Sequence, residues 1–412
     1  MMRDDSPMHA LRKALAVTRT STILDSVVEV NIGRTRNPIL GIPRSYKAPY
    51  LFSLALFTLV SAIPPMQHLH TIRLSSVSLS RMYLYIILSS PHLIHLVLNS
   101  VQLPRICIFP RPKLRKLTLT MKCSWGSIRP LISQLATTLE YLELNWCTFL
   151  PPSQLQLPSL PCLQELRHRQ RYSHSTFSDK NQLNELLRLG SQVTHLHVIG
   201  ISNEPVTACR KSLQYLHTDS CMLSDDIFGT EPFPRLMHLS LWVLQFAVTA
   251  DHLLISSSFT RDHFPTITSL QLTISWRLRN CAMAMARSQH NVRALKLIVV
   301  GIDYAESAEM ECCFPVEVSN DQLHLHQAKL PAALQTLTLE AVQYSGELER
   351  SATRCSRWVF HYVIPPVTGL GGTGLKSISL LISQPKSSVE RERVLSRQWV
   401  KTPNDGWQVL EY

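Results

Sequence analysis

Histidine and large aromatic residues that could coordinate a metal or contact a partner are concentrated in the middle of the 412-residue chain. The set is Tyr141, His195, His197, Tyr215, His217, His238 and Trp242. Imidazoles are good zinc ligands, but no cysteine or carboxylate completes a recognisable ligand spacing with these histidines. Aromatic side chains dominate the hot spots of protein interfaces. We therefore predict a protein-binding patch rather than a metal site, and ordinary exposed strand residues are the alternative interpretation.

Sequence patterns that mark enzymes are absent from the chain. There is no G-x-S-x-G nucleophile elbow, no phosphate-binding loop and no pair of carboxylates in a defined context. The ten cysteines include no C-x-x-C pair, so a structural zinc site is not indicated. We expect a protein without catalytic activity, bound metal or cofactor.

Positive charge is concentrated in one interval of the sequence. Residues 30–139 hold 13 Lys and Arg but no Asp or Glu, although the whole chain carries only 41 basic and 29 acidic residues. The densest run comprises Arg111, Lys113, Arg115 and Lys116. Such a patch would attract an acidic protein partner or nucleic acid. Because no nucleic-acid-reading motif accompanies it, we expect the protein partner and consider nucleic acid the weaker alternative.

A repeated L-x-x-L-x-L spacing predicts short strands, and these strands would position the residues named above. Its clearest copies are Leu69/Ile72/Leu74, Leu93/Leu96/Leu98, Leu114/Leu117/Leu119, Leu139/Leu142/Leu144, Val193/Leu196/Val198, Leu236/Leu239/Leu241, Ile267/Leu270/Leu272, Val292/Leu295/Leu297, Leu334/Leu337/Leu339 and Leu375/Ile378/Leu380. Helical stretches such as Leu51–Ile63, Met82–Leu88, Ile128–Ala136 and Gln182–Leu189 precede several of these short strands. This alternation is typical of leucine-rich repeats. It predicts an α/β solenoid of about a dozen repeats, with a curved parallel sheet inside and helices outside.

The residues between the leucines should face away from the core, since side chains alternate along a strand. Stacked strands would then align these residues in columns. One column reads Thr71, His95, Lys116, Tyr141, His195, Tyr215 and His238, and its neighbour reads Arg73, Val97, Thr118, Glu143, Arg167, His197, His217 and Ser240. A third column includes Asn99, Asn145, Asp219 and Trp242. The predicted patch is therefore a group of neighbouring positions on one face.

The ends of the repeat pattern suggest three regions. They are a degenerate repeat or cap at 1–48, the repeat array at 49–382 and a C-terminal cap at 383–412. The wider spacing of the last copies predicts inserted loops at 303–328 and 344–373. We expect the C-terminal cap to contain a charged helix, Ser388–Val400, followed by an apolar strand, Trp407–Leu410.

The longest apolar run, Leu51–Ile63, is shorter than the roughly 20 residues that a membrane-spanning helix needs. No apolar signal segment follows the first residues. We therefore expect no membrane partner, reduced thiols, and a cytoplasmic or nuclear location.

Several of the predicted strands directly follow a proline, in the sequences PHLIHLVL, PKLRKLTL, FPRLMHLSL and FPTITSLQL. These sequences resemble the degenerate leucine-rich-repeat region of fungal F-box proteins. The similarity covers most of residues 49–410. In that family an N-terminal F-box docks the Skp-type adaptor of a cullin ubiquitin ligase, and the repeats capture the substrate. The resemblance thus implies a substrate-recognition subunit, although no leucine-proline-acidic opening of an F-box precedes these repeats. The alternative is a repeat adaptor with no connection to ubiquitin ligases.

Overall fold

A computed structural model gives the fold of the chain, which forms two compact units, Met1–Gly200 and Ile201–Tyr412. The residues that the structure describes are 12, 14–16, 18–20, 24, 26–33, 48–104, 113–120, 125–145, 158–169, 186–190, 192–199, 208–219, 231–243, 264–275, 286, 289–300, 331–342, 374–385, 391–402 and 407–411. The two expected inserted loops, 303–328 and 344–373, lie outside these residues.

Seven parallel strands form the sheet of the first unit within its described residues. They are β1 (Glu29–Gly33), β2 (Thr71–Ser75), β3 (His95–Asn99), β4 (Lys116–Thr120), β5 (Tyr141–Asn145), β6 (Glu165–Arg169) and β7 (His195–Ile199). Each strand pairs with the next one in the sequence, and equivalent positions of the repeat lie side by side. Within the first unit, the register of this sheet confirms the predicted columns, with Glu165 as an additional member between Tyr141 and His195.

The second unit contains eight strands within its described residues. They are β8 (Tyr215–Asp219), β9 (His238–Val243), β10 (Ser269–Ser275), β11 (Ala294–Val300), β12 (Thr336–Val342), β13 (Ser377–Pro385), β14 (Arg391–Lys401) and β15 (Trp407–Glu411). Strands β8 to β13 are parallel and follow the order of the sequence. Strands β14 and β15 are antiparallel additions at the end.

The core is built from the leucines of the repeated spacing. In the copy around β3, for example, Leu93 just before the strand and Leu96 and Leu98 within it have exposed fractions of 2% or less. The equivalent residues of the other copies are buried in the same way, so the predicted inward positions are confirmed. Each fully buried leucine contributes about 1.5–3 kcal/mol by leaving water. The chain is thus an α/β protein with mostly parallel strands that add in sequence order, as expected for a solenoid-like fold.

Within the described residues, the helices between strands of the first unit include α1 (Ala48–Ser61), α2 (Arg81–Leu88) and α3 (Trp125–Leu135). Residues 186–189, the described part of the predicted stretch Gln182–Leu189, are helical as well. Helices α1, α2 and α3 confirm three of the predicted helical stretches to within a few residues. In α2 the hydroxyl of Ser80 caps the helix by accepting a hydrogen bond from the backbone nitrogen of Tyr83, at 3.2 Å. None of the helices in these ranges is long and apolar enough to cross a bilayer.

The predicted C-terminal helix Ser388–Val400 is wrong, because this segment contains strand β14. Strand β14 pairs along the outer edge of β13, where unpaired backbone groups would otherwise remain. Trp399 is 2% exposed in this position. The charged residues of the segment favoured a helix locally, but pairing with the sheet determines its conformation. The predicted strand at Trp407–Leu410 is confirmed as β15.

Candidate protein-binding face

The outward residues of the first sheet form a polar face in which neighbouring strands exchange hydrogen bonds. In one column, Thr118 of β4, Glu143 of β5 and Arg167 of β6 are register partners. In the next column, Lys116, Tyr141 and Glu165 are aligned on the same three strands. These side chains point away from the leucine core. Thr118 is nevertheless only 7% exposed, so the other five are the ones available to a partner.

Glu143 is the hydrogen-bond acceptor at the centre of this face. Its Oε2 accepts hydrogen bonds from the Tyr141 hydroxyl at 2.7 Å and the Thr118 hydroxyl at 3.3 Å. Its Oε1 accepts one from the Asn145 amide at 2.7 Å. The Thr118 hydroxyl also lies 3.1 Å from Nε2 of His95. The five side chains form one network, which we call the Glu143 cluster.

Tyr141, itself a member of the Glu143 cluster, also contacts side chains of the strands β3 and β6. The guanidinium of Arg167 lies 5.5 Å from the centre of the Tyr141 ring, in the geometry of a cation–π contact. Arg167 also donates from Nε to Oε1 of Glu165, at 2.7 Å. On the other side, the rings of His95 and Tyr141 meet edge to face with their centroids 6.1 Å apart. The contacts fix the orientation of a tyrosine that is only half-buried.

Burial keeps the two titratable rings of the Glu143 cluster, Tyr141 and His95, neutral. Burial raises the pKa of Tyr141 above its ordinary value of 10, and the hydrogen bond to Glu143 adds to the effect. Burial lowers the pKa of His95 below 6.5, assisted by the positive charges of Arg73 and Lys116. At neutral pH the phenol therefore remains a hydrogen-bond donor and the imidazole remains uncharged. Such a preorganised array of donors, acceptors and rings suits the recognition of a protein surface.

A second polar group lies on the outward face of the second unit. Nδ1 of His217 lies 2.7 Å from the hydroxyl of Ser240, which also accepts a hydrogen bond from the Gln271 amide at 3.1 Å. The rings of Tyr215 and His238 are 6.2 Å apart. These contacts join register partners on β8, β9 and β10.

The residues predicted for the patch are divided between the two units. Tyr141, His195 and His197 belong to the first unit, whereas Tyr215, His217, His238 and Trp242 belong to the second. Within the first unit, Glu165 separates Tyr141 from His195 in their column. Within the second, the indole nitrogen of Trp242 is buried, and no hydrogen-bond partner for it is found among the described residues.

The sequence-based choice of aromatic residues missed the participants that hold Tyr141 in place. The column positions of His95, Thr118, Glu143, Asn145 and Arg167 follow from the repeat spacing alone. Complementary pairs at adjacent positions, such as a carboxylate beside a threonine and an arginine, were the signal that could have identified the cluster.

The predicted basic patch consists of residues with different surroundings. Lys113 is exposed, and Lys116 lies exposed on the outward face of β4. Arg115 precedes that strand and forms an ion pair with Glu140, with its Nη1 3.3 Å from Oε1. Arg111 lies outside the described residues. One of the three described cations is thus already paired with a carboxylate.

Within the part of the chain that the structure describes, no group of three or more His, Cys, Asp or Glu residues could hold a metal ion. The arrangement on the outward faces is instead one of hydrogen bonds, ring contacts and ion pairs. In comparisons with known proteins, no family model matches the chain, and no curated protein matches it at a significant level.

Proposed function

We propose that the chain is a protein-binding scaffold without catalytic activity, built as a leucine-rich-repeat solenoid. The observation that carries the proposal is the Glu143 cluster on the outward face of the first sheet. Its side chains are held in place by mutual hydrogen bonds, so a partner would not have to bear the entropic cost of ordering them. The tyrosine and arginine at its edge are residue types that dominate interface hot spots.

The specific form that we propose is the substrate-recognition subunit of a ubiquitin ligase, present in the cytoplasm or nucleus. Its support is the resemblance of the strand sequences to the repeat region of fungal F-box proteins. In this role the outward face would capture the substrate, and a Skp-type adaptor would link the chain to the ligase. A repeat adaptor outside the ubiquitin system has the same structural support, and the two differ only in the adaptor.

Affinity capture of the tagged chain from its native cells distinguishes these forms. We expect the Skp-type adaptor to co-purify with the tagged chain and to be absent from a capture with the tag alone. Reproducible partners without the adaptor would refute the ligase role and support the plain scaffold. If neither the adaptor nor any other protein co-purifies above the control, the scaffold proposal itself fails.

A further inference from the structure

An open cavity of about 570 Å³ lies at the edge of the second unit where its parallel strands begin. Most of its lining residues form two tiers on the segments that lead into β9, β10 and β11. The tier next to the strands contains Met237, Thr268 and Arg293, joined by backbone hydrogen bonds of 2.8–3.0 Å. The tier two residues earlier contains Arg235, Thr266 and Asn291. The volume is in the range of sites that bind small molecules or side chains of a partner.

The two arginines lie diagonally opposite each other across the segment that leads into β10. Arg235 precedes β9 in the earlier tier, and Arg293 precedes β11 in the later tier. Neighbouring strands are about 4.8 Å apart and successive residues rise about 3.3 Å, so the two Cα atoms are about 12 Å apart. Both arginines are exposed and line the same cavity. Their long side chains can therefore reach one ligand group from opposite sides.

The polar side chains between the arginines are held by hydrogen bonds to the backbone. The Thr266 hydroxyl donates to the Leu236 carbonyl at 2.9 Å, and the Asn291 amide donates to the Pro265 carbonyl at 2.8 Å. These bonds order the side chains before any ligand arrives, which lowers the entropic cost of binding.

Carboxylates in the described parts of the lining segments do not compete for the two arginines. Oε2 of Glu231 lies 3.8 Å from Nη1 of Arg210, and Glu340 pairs with Lys296 at 2.7 Å. Asp219 is the last residue of β8, at the opposite end of that strand from the cavity. Within the described residues neither cavity arginine forms an ion pair. The cavity therefore presents a positive potential to an anionic ligand.

The charges and donors of the two arginines indicate which anion fits between them. One guanidinium group can satisfy a carboxylate by two parallel hydrogen bonds, and that pair is then neutral. Two guanidinium groups carry two positive charges and twice as many donors. A phosphate monoester near neutral pH carries close to two negative charges on three oxygens that accept hydrogen bonds. It balances both arginines at once, whereas a single carboxylate or a sulfate ester carries only one charge.

We propose that this cavity binds the phosphoryl group of a phosphate monoester, with Arg235 and Arg293 on the same group. The cavity is larger than a phosphoryl group, so the organic part of the ester occupies the remainder, beside Met237, which is 41% exposed. Two sources supply this chemistry, a small phosphorylated molecule and a phosphorylated side chain of a protein. The surface is separate from the Glu143 cluster, so this inference can fail while the scaffold proposal stands.

Isothermal titration calorimetry with the full chain, at neutral pH and low ionic strength, tests the chemistry. The phosphorylated probes are glucose 6-phosphate and a short alanine peptide with one central phosphoserine. The comparison compounds are glucose 6-sulfate and the same peptide with unmodified serine. We expect at least one phosphorylated probe to bind at least about tenfold more tightly than its comparison compound, because only the phosphoryl group pairs with both arginines. If neither phosphorylated probe exceeds its comparison compound, the proposal is overturned.

The two phosphorylated probes also distinguish the source of the phosphate. Tighter binding of the phosphopeptide supports the proposal with a protein as the source. Binding of glucose 6-phosphate that is equal to or tighter than that of the phosphopeptide supports it with a small phosphorylated molecule as the ligand. Succinate, which carries its two charges on separate carboxylates, is the competing probe, and tighter binding of succinate than of both phosphorylated probes contradicts the proposal.

Variants locate the binding site, with the tighter of the two phosphorylated probes as ligand. Arg235→Gln and Arg293→Gln should each weaken binding at least about tenfold, because each removes one of the two charged groups that hold the phosphoryl group. Lys376→Gln is the matched control, since Lys376 is exposed just before β13 and does not line the cavity. It should change the affinity by less than about twofold.

All three substituted side chains are exposed, so the variants should keep the fold, which thermal unfolding verifies. A loss of binding in only one of the two arginine variants would show that the guanidinium groups do not share a ligand group, and would overturn the proposal. An equal loss in Lys376→Gln would show attraction to the general positive charge of the unit and would overturn it as well.

Discussion

His168 shows how one residue can depart from the repeat without disturbing the register. It occupies the inward position of β6 that Leu144 and Val198 hold on the flanking strands. The ring is 2% exposed. Burial lowers its pKa to about 4, because the protein interior disfavours the charged imidazolium. The register with Leu144 and Val198 places this side chain inward, where a polar ring affects stability in a way that the leucine spacing does not indicate.

His168 should make the stability of the fold depend on pH. Between the folded pKa of about 4 and the unfolded value of 6.5, the unfolded chain binds the proton more tightly, so the free energy of unfolding falls as the pH is lowered. From pH 7.5 to pH 5 this effect costs about 2 kcal/mol. Urea unfolding of the wild type and of His168→Leu at both pH values measures it. We expect the wild type to lose about 2 kcal/mol more than the variant.

The comparison with His168→Leu separates this residue from all other titrating groups, since those are common to both proteins. If the two proteins lose the same free energy between pH 7.5 and 5, His168 is not the source of the pH dependence.

At the scale of elements, two glycines have opposite packing requirements. A Cβ on Gly190 would lie 2.9 Å from Cδ2 of Leu163 and 3.2 Å from Cγ2 of Val193, inside the core. A Cβ on Gly374 would meet only the Leu334 carbonyl oxygen, at an ordinary contact distance of 3.7 Å. The absence of a side chain at Gly190 allows its backbone to approach Leu163 and Val193, whereas Gly374 has no such role.

Substitution of each glycine by alanine tests this difference. Gly190→Ala should destabilise the protein by about 1–3 kcal/mol, since a methyl group is forced into a filled core. Gly374→Ala is the matched control and should change the free energy of unfolding by less than about 0.5 kcal/mol. Chemical denaturation measures both values. Equal effects of the two substitutions would contradict the packing explanation.

The elements also show which parts of the fold can be predicted from sequence. Strands such as β3 and β5 were predictable because their buried leucines alternate with outward residues over five positions. Strand β14 was not predictable, because its conformation depends on pairing with the edge of β13 and not on a pattern in its own sequence. The Glu143 cluster was predictable in position but not in contacts, because hydrogen bonds depend on side-chain rotamers.

At the scale of the whole molecule, the distribution of charge in space differs from its distribution in sequence. The sequence shows a dense run from Arg111 to Lys116, yet Arg115 is paired with Glu140. Arg293 and Lys376 are far apart in the sequence and give no run at all. They lie at equivalent positions just before β11 and β13, two strands apart, because the repeats place such positions in register. Surfaces of repeat proteins must therefore be read across strands as well as along the chain.

The scaffold proposal makes the outward face of the first sheet the partner-binding surface, with the Glu143 cluster at its centre. The most direct test is the dissociation constant of the most abundant co-purifying protein, measured by calorimetry with the wild type and with a Y141A/R167A variant. The matched control is Thr71→Ala, in the same column as Tyr141 but three strands away, on β2. We expect the double variant to bind at least about thirtyfold more weakly, since hot-spot side chains cost about 2 kcal/mol or more when truncated. An unchanged dissociation constant, with all three proteins folded, would show that the partner binds elsewhere.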